Sequence, residues 1–339
     1  AFVAAFARTR VFNSRQRPAF WRTRLRPDAD FISPPSLSRS PSLGSLLLLC
    51  VTVLALFAFP DSVPAEETEA ATRQYAVAVG FQNRKLYDFA IDEWKTFLSK
   101  FPSDPRVDRA QHYLGTCSLQ EKKYRDAIDA FQLVVSKYPK FELLDQSRLN
   151  LGIAWYGIAQ ESGKAADFNQ AERAFEQMLR SFPKSEHVGR ALFYQGECLF
   201  QQKKVAEAAT AYADLIDRFP KHEMAADATY ALGTAQESLK QTEQARATFA
   251  KFSSQFPKHP LLTEVEMRQA ELLFADGAFD RAARMFEAVA ANREFAHADQ
   301  ARMRQARCVY ELGKLDAAGL LYWRVTEFNG TKLAAAAIL

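Results

Sequence analysis

Residues 196–220 read G-E-C-L-F-Q-Q-K-K-V-A-E-A-A-T-A-Y-A-D-L-I-D-R-F-P. They contain the end of one amphipathic helix, a polar turn, a second amphipathic helix and a proline that cannot continue it. The same pattern recurs along most of the chain. The alanine of the second helix serves as a ruler: it falls at Ala90, Ala127, Ala171, Ala208, Ala245, Ala282 and Ala318, in steps of 37, 44, 37, 37, 37 and 36 residues. Four residues after each comes an aromatic, namely Trp94, Phe131, Phe175, Tyr212, Phe249, Phe286 and Tyr322. Eleven residues after the first five comes Phe-Pro or Tyr-Pro, at Phe101, Tyr138, Phe182, Phe219 and Phe256. A small residue of the first helix precedes the ruler by twelve at Ala78, Gly115, Gly196, Gly233, Ala270 and Ala306. In the third unit it is Gly152, nineteen before, because an insertion of about seven residues around 161–167 is expected to lengthen the turn.

Each position has a physical reason. A small residue lets two helix backbones approach, and the aromatic fills the space beside it. Proline ends the second helix and pushes the residue before it out of the helical region. Neither helix of one unit can bury its apolar face alone, so the units must stack. The expected fold is all-α, a superhelical solenoid of seven helix–turn–helix units over residues 70–330, with no segment alternating like a strand. Asn329-Gly330 is expected to close the last unit, and Lys332-Leu333 with the following Ala-Ala-Ala-Ala-Ile-Leu, within residues 331–339, reads as the start of a further, truncated helix. With a first methionine at Met178, the chain reads as a fragment of a longer polypeptide.

The small–aromatic–proline spacing resembles the tetratricopeptide repeat, whose usual period is about 34 residues. The longer period, with F-P-K-S-E-H-V-G-R-A-L-F-Y-Q-G at 182–196, is similar to the bacterial cell-envelope members of that family. Those members include the Tol–Pal accessory protein and the lipoprotein of the outer-membrane assembly machine. The resemblance implies that the first helices line a concave surface. It also implies that groove residues stand three before, one after and four after the small position. Those three before are Tyr75, His112, Leu149, Phe193, Tyr230, Met267 and Met303. Those one after include Thr116, Glu197, Thr234, Glu271 and Arg307, and those four after include Leu119, Tyr156, Phe200, Phe274 and Tyr310. Aromatics and methionines interleaved with polar groups suit a bound peptide. The partner-binding set drawn from these is Tyr75, His112, Leu149, Tyr156, Phe193, Glu197, Phe200, Tyr230, Thr234, Met267, Phe274, Met303, Arg307 and Tyr310.

The start of the chain has a different composition. Residues 1–65 carry eight arginines, no lysine and three aspartates. Of the 44 basic and 40 acidic residues, 36 and 37 therefore lie in residues 66–339, a net charge of about −1 for the repeats. A polyanion-binding protein carries its charge on the working domain, so nucleic acid is disfavoured as a partner. Residues 1–43 are rich in Arg, Ser and Pro and read as a disordered leader. Residues 45–59 are a fifteen-residue apolar run, short for a spanning helix but right for a signal-peptide core. With Val63-Pro64-Ala65 after it, residues 44–65 read as a signal segment cleaved before Glu66. Cys50 follows three leucines inside the apolar run, which does not suit lipidation. The localisation expected is periplasmic, the alternative being an uncleaved anchor in the inner membrane.

Chemistry-bearing residues are few. Cys117, Cys198 and Cys308 sit two residues after the small position in units two, four and seven, too far apart for disulfides, and are expected to be buried thiols. His187, His222 and His259 follow Phe-Pro-Lys turns and are expected to be solvated, with no ligands to complete a metal site. Phosphate-loop, nucleophile-elbow and H-E-x-x-H motifs are absent from the sequence. The resulting expectation is a non-catalytic scaffold without cofactor or metal that binds a peptide or a partner protein of a cell-envelope complex. The alternatives are an accessory repeat region of a larger enzyme or secretion component, and a cytosolic adaptor.

Overall fold

A computed structural model describes residues 65–325. The apolar run, Cys50, the arginine-rich leader and the Asn329-Gly330 stop lie outside the described residues. Fourteen α-helices and no strands occupy them: α1 (Ala65–Asn83), α2 (Tyr87–Lys100), α3 (Val107–Gln120), α4 (Tyr124–Lys137), α5 (Leu144–Ser162), α6 (Ala165–Ser181) and α7 (Val188–Gln201), followed by α8 (Val205–Arg218), α9 (Ala225–Ser238), α10 (Thr242–Gln255), α11 (Leu262–Ala275), α12 (Phe279–Ala291), α13 (Ala298–Glu311) and α14 (Leu315–Arg324). The all-α repeat is as the spacing predicts. The described residues divide into two compact units, 65–123 and 124–325. In the first, α2 packs on α1 and on α3. In the second, each helix from α4 to α14 packs on its neighbours in sequence.

The ruler alanines are all at most 1% exposed, and six of the seven aromatics four residues on are fully buried; Tyr322, in the last helix, is half-buried. In the three hairpins from α5 to α10 the small position of the first helix lies under the ring of its own second helix. A Cβ on Gly196 would meet the Tyr212 ring at 2.6 Å, and one on Gly233 would meet Phe249 at 2.3 Å. These glycines are dictated by that approach. Gly157 does the same job one turn later, where a Cβ would come within 2.4 Å of the Tyr124 ring from α4.

The turn inside each hairpin contains a feature that spacing does not reveal. Lys85, Lys122, Lys203 and Lys240 have φ between 58° and 66°, and Gly277 and Gly313 occupy the same left-handed place with φ of 76° and 74°. A left-handed residue reverses the chain in the shortest distance, and a β-carbon there costs about 1–2 kcal/mol. The long-chain lysines tolerate the place because their side chains run into water.

The links between units are equally uniform. Phe219 N–H donates to Leu215 O at 2.8 Å, His222 N–H to Phe219 O at 3.0 Å, and Ala225 N–H to His222 O at 2.9 Å. The same succession recurs after Phe101, Tyr138, Phe182 and Phe256. The third residue after the aromatic often accepts a further backbone N–H with its side chain. Asp104 Oδ1 accepts from Arg106 at 2.9 Å, Ser185 Oγ from His187 at 3.1 Å, His222 Nδ1 from Met224 at 3.1 Å and His259 Nδ1 from Leu261 at 3.2 Å. His222 and His259 are thus half-buried turn acceptors rather than solvated rings, and His222 also packs over Gly189. The Arg106 guanidinium bonds to Asp104 as well and holds its carboxyl below the usual range.

The insertion in the third unit is absorbed as helix, not as a longer turn. α5 has 19 residues and α6 has 17, against 14 in most of the others, and only Gly163 (φ 66°) and Lys164 separate them. Gln160, Glu161, Ala165 and Ala166 are good helix formers, so extending both helices satisfies more backbone than a loop would.

The close approach leads to a paired prediction. Gly233→Ala overpacks Phe249 at a cost of about 1–3 kcal/mol, more than the gain of about 1 kcal/mol in helix propensity. Gly80 has nothing within 4 Å of its would-be Cβ, so Gly80→Ala should raise stability instead. Urea midpoints followed by circular dichroism should move in opposite directions. A midpoint that rises in both variants rules out the ring contact as the constraint.

Candidate partner-binding face

The first helices of the hairpins are α1, α3, α5, α7, α9, α11 and α13. The residues three before the small position point mostly inward. Phe193 and Tyr230 are each 5% exposed. Phe193 packs edge-on against Tyr194 at 5.6 Å and tilted on Tyr212 at 6.2 Å. Tyr230 packs on Phe249 at 6.4 Å and donates its hydroxyl to Glu264 Oε1 at 3.3 Å. Leu149 and His112 are buried, and Met267 joins a core with Ala270, Leu273 and Phe286. Tyr75 is half-buried between Trp94 (4.9 Å) and Phe97 (5.4 Å), beneath the Arg106 guanidinium. Burial, followed by Tyr113, pushes its phenol up to about 12. Met303 is half-buried.

Of the residues one after, Glu197 is buried and accepts the Tyr212 hydroxyl at 2.6 Å inside its own hairpin. Thr234 donates to Ala231 O at 2.8 Å, and Arg307 pairs with Glu311 at 2.6 Å. The interior therefore contains His112, Leu149, Phe193, Glu197, Tyr230 and Met267.

The four-after position is closed at Leu119 on α3, which is buried, but remains open from α5 onward. Tyr156 on α5, Phe200 on α7, Glu237 on α9, Phe274 on α11 and Tyr310 on α13 all stand at this place, half-buried except for Tyr310, which is 47% exposed. Tyr156 packs on Tyr194 at 5.3 Å and Phe168 at 6.1 Å, which fixes its ring. Arg304 lies over Phe274 at 5.4 Å and Arg307 over Tyr310 at 5.2 Å. These side chains form a row of rings along the first helices from α5 to α13, interrupted at α9 by a carboxylate. Its chemistry is contact and charge.

Ion pairs that the spacing rules missed tie the first helices together along this row. Arg268 on α11 bonds to Glu237 on α9 at 3.2 Å and to Glu264 at 3.2 Å, and Arg304 on α13 bonds to Glu271 on α11 at 2.9 Å. Burial alone would lower the Arg268 pKa, but Tyr230, Glu237 and Glu264 hold it above its ordinary value. The signal was present as opposite charges 31 and 33 residues apart, slightly less than one repeat. It can be recognised only once the stagger of neighbouring helices is known.

The three thiols are buried. Burial pushes Cys117 and Cys308 up to about 12 and Cys198 well above its usual range. In the native protein at pH 8 they should not react with a thiol reagent, and all three should react in denaturant. Fast labelling of any of them in the folded state would place it at the surface. Tyr212→Phe removes a donor from the buried Glu197 carboxylate and should cost about 1–3 kcal/mol in urea unfolding. An unchanged midpoint would show that Glu197 is satisfied without Tyr212.

With this geometry in place, comparisons with known proteins can be read. The tetratricopeptide repeat family matches residues 156–223 and 267–328, and a second model of the same repeat matches 109–140 and 227–259. Together these cover more than half of the chain. A comparison of the sequence with curated proteins finds no match. Among solved structures, a tetratricopeptide repeat protein from Parabacteroides merdae superposes with a TM-score of 0.53 at 15% identity, over 80% of this chain and 100% of the other. The C-terminal part of a TPR repeat-containing protein from Cytophaga hutchinsonii gives 0.61 at 14% identity, over 78% and 99%. At such identity the likeness concerns the fold alone. The repeat matches, the seven buried ruler alanines and the rings over the small positions agree: this chain belongs to the tetratricopeptide repeat family, whose repeats mediate protein–protein interaction.

Proposed function

We propose that the chain is an exported, non-catalytic scaffold of the bacterial cell envelope. In this reading it holds a peptide or partner protein along its first-helix face, in the manner of the envelope proteins its long repeat resembles. The observation that carries the reading is the row Tyr156, Phe200, Phe274 and Tyr310, partly exposed at one position of successive first helices. Rings fixed by their neighbours lose little entropy when a partner side chain packs on them, and aromatic residues dominate the energetics of such contacts. Export is supported by the apolar run at 45–59 and the Val63-Pro64-Ala65 sequence after it. No helix among the described residues is long and apolar enough to cross a membrane. In this reading no bond is made or broken, and the work of the protein is to hold two or more components together.

The test uses the full-length protein in its native cells. Crosslinking, envelope fractionation and N-terminal sequencing should recover a periplasmic protein beginning at Glu66, together with a defined partner. Tyr156→Ala combined with Phe200→Ala should reduce partner recovery by about tenfold or more, since each ring is worth on the order of 1–2 kcal/mol. Helicity should not change. Full capture by the double variant removes this face from the proposal, and a cytosolic product removes export.

A further inference from the structure

The first hairpin departs from the others at the turn between its helices. The residue four before the ruler alanine is Lys123, Asp167, Lys204, Gln241, Ala278 or Lys314 in the later hairpins, and in the first it is Leu86. The residue one before the ruler is Asp126, Gln170, Glu207, Gln244, Arg281 or Ala317, and in the first it is Phe89. Leu86 is 42% exposed and Phe89 59%. The Phe89 ring stacks on Phe81 of α1 at 5.5 Å, and the Leu86 N–H donates to Phe81 O at 3.0 Å, so the three form one patch at the end of the hairpin. Val77, one turn back along α1, extends the patch and is 46% exposed. Cations stand beside it. Residues 84–89 and 120–123, the turns of the first two hairpins, hold Arg84, Lys85, Lys122 and Lys123 against two carboxylates, Asp88 and Glu121. Lys123 bonds to Asp88 at 2.7 Å, which sets the two turns side by side. Arg84, Lys85 and Lys122 are exposed, and among the described residues their side chains have no hydrogen-bond or ion-pair partner. Lys85 and Lys122 also occupy left-handed backbone, with φ of 59° and 58°, where a glycine would be less strained.

We propose that this hairpin end docks on an anionic lipid surface, with Leu86 and Phe89 entering the acyl boundary and Arg84, Lys85 and Lys122 lying at the level of the lipid phosphates. The inference is independent of the first-helix partner face and adds a membrane contact to the exported scaffold. The patch is the end of a hairpin, so it protrudes. A peptide or helix needs a groove or a flank on which to bury its apolar side, whereas a bilayer takes up protruding rings directly. Long basic side chains cover the apolar boundary with their stems while their charged ends reach the headgroups. The positive excess at the two turns favours anionic over zwitterionic lipid, and salt screens that preference.

Co-sedimentation of the full-length protein, isolated from its native cells, with vesicles of phosphatidylglycerol or phosphatidylcholine tests this. Binding should require phosphatidylglycerol and weaken with salt. Leu86→Gln combined with Phe89→Glu introduces side chains that already stand at these places as Gln241 and Glu207, so circular dichroism should be unchanged. Binding by that variant should fall about tenfold or more. A fluorophore reports the contact itself. A nitrobenzoxadiazole label on Phe89→Cys should shift to the blue with phosphatidylglycerol vesicles, and the same label on Asp126→Cys, the equivalent place in the second hairpin, should not. The native thiols at Cys117, Cys198 and Cys308 are buried, and Cys50, where retained, contributes equally to both. Protein that binds neither vesicle, binds both alike, or binds through another segment such as 45–59 with no change at the Phe89 label overturns the inference. A dimer that forms without lipid, ignores vesicles and is lost in the double variant also overturns it and assigns the patch to a second copy. Partner capture through Tyr156 and Phe200 stands or falls separately in every case.

Discussion

The structure depends on one contact repeated in register: a small residue of the first helix covered by the ring that follows the ruler alanine of the second. At Gly152, Gly196 and Gly233 a single added carbon would lie within 2.5, 2.6 and 2.3 Å of that ring. Packing this tight is intolerant of change, because protein interiors are close-packed and transmit the volume of even one methylene. Where the first helix carries alanine instead, at Ala78, Ala270 and Ala306, the residue is fully buried and the same closure is made with one carbon more. The three hairpins from α5 to α10 therefore close the same way.

That closure decides which residues are left at the surface. A side chain three before the small position lies beside the closing ring, so Phe193, Tyr230, Leu149 and Met267 are drawn into the interior. From α5 onward a side chain four after it is one helical turn beyond the contact, on the open side, and Tyr156, Phe200, Phe274 and Tyr310 emerge there. The first helices are held in register by Arg268 and Arg304, each of which reaches the preceding first helix. Pairs of this kind, partly withdrawn from water, add more to the uniqueness of a packing than to its stability.

The connections show how a repeat accommodates irregularity. Each link ends a helix, makes two tight turns and starts the next helix with the same backbone bonds, while the supporting acceptor varies among aspartate, serine and histidine. The place accepts any side-chain acceptor within reach of the N–H two residues on, and also Phe141, which has none. The hairpin turn has a comparable requirement, for a residue in the left-handed region, and lysine or glycine meets it. An insertion between helices need not become a loop when its residues favour helix, as the lengthened α5 and α6 show.

The sequence by itself determined the succession of helical hairpins, the ruler alanines and the burial of the rings that follow them, because those features are set by local periodicity and by the steric rules of glycine, alanine and proline. It also led correctly to buried thiols at Cys117, Cys198 and Cys308, since a position two residues past the small one follows the same inward face. Only the tertiary structure decided which side of each first helix remains open. The division between Phe193, inside, and Phe200, at the edge, depends on the stagger of neighbouring helices, which no spacing within one unit encodes. For the same reason the bonds from Arg268 to Glu237 and from Arg304 to Glu271 became visible only in space. Local sequence specifies a helix and its apolar stripe, but burial and pairing across helices are properties of the stack.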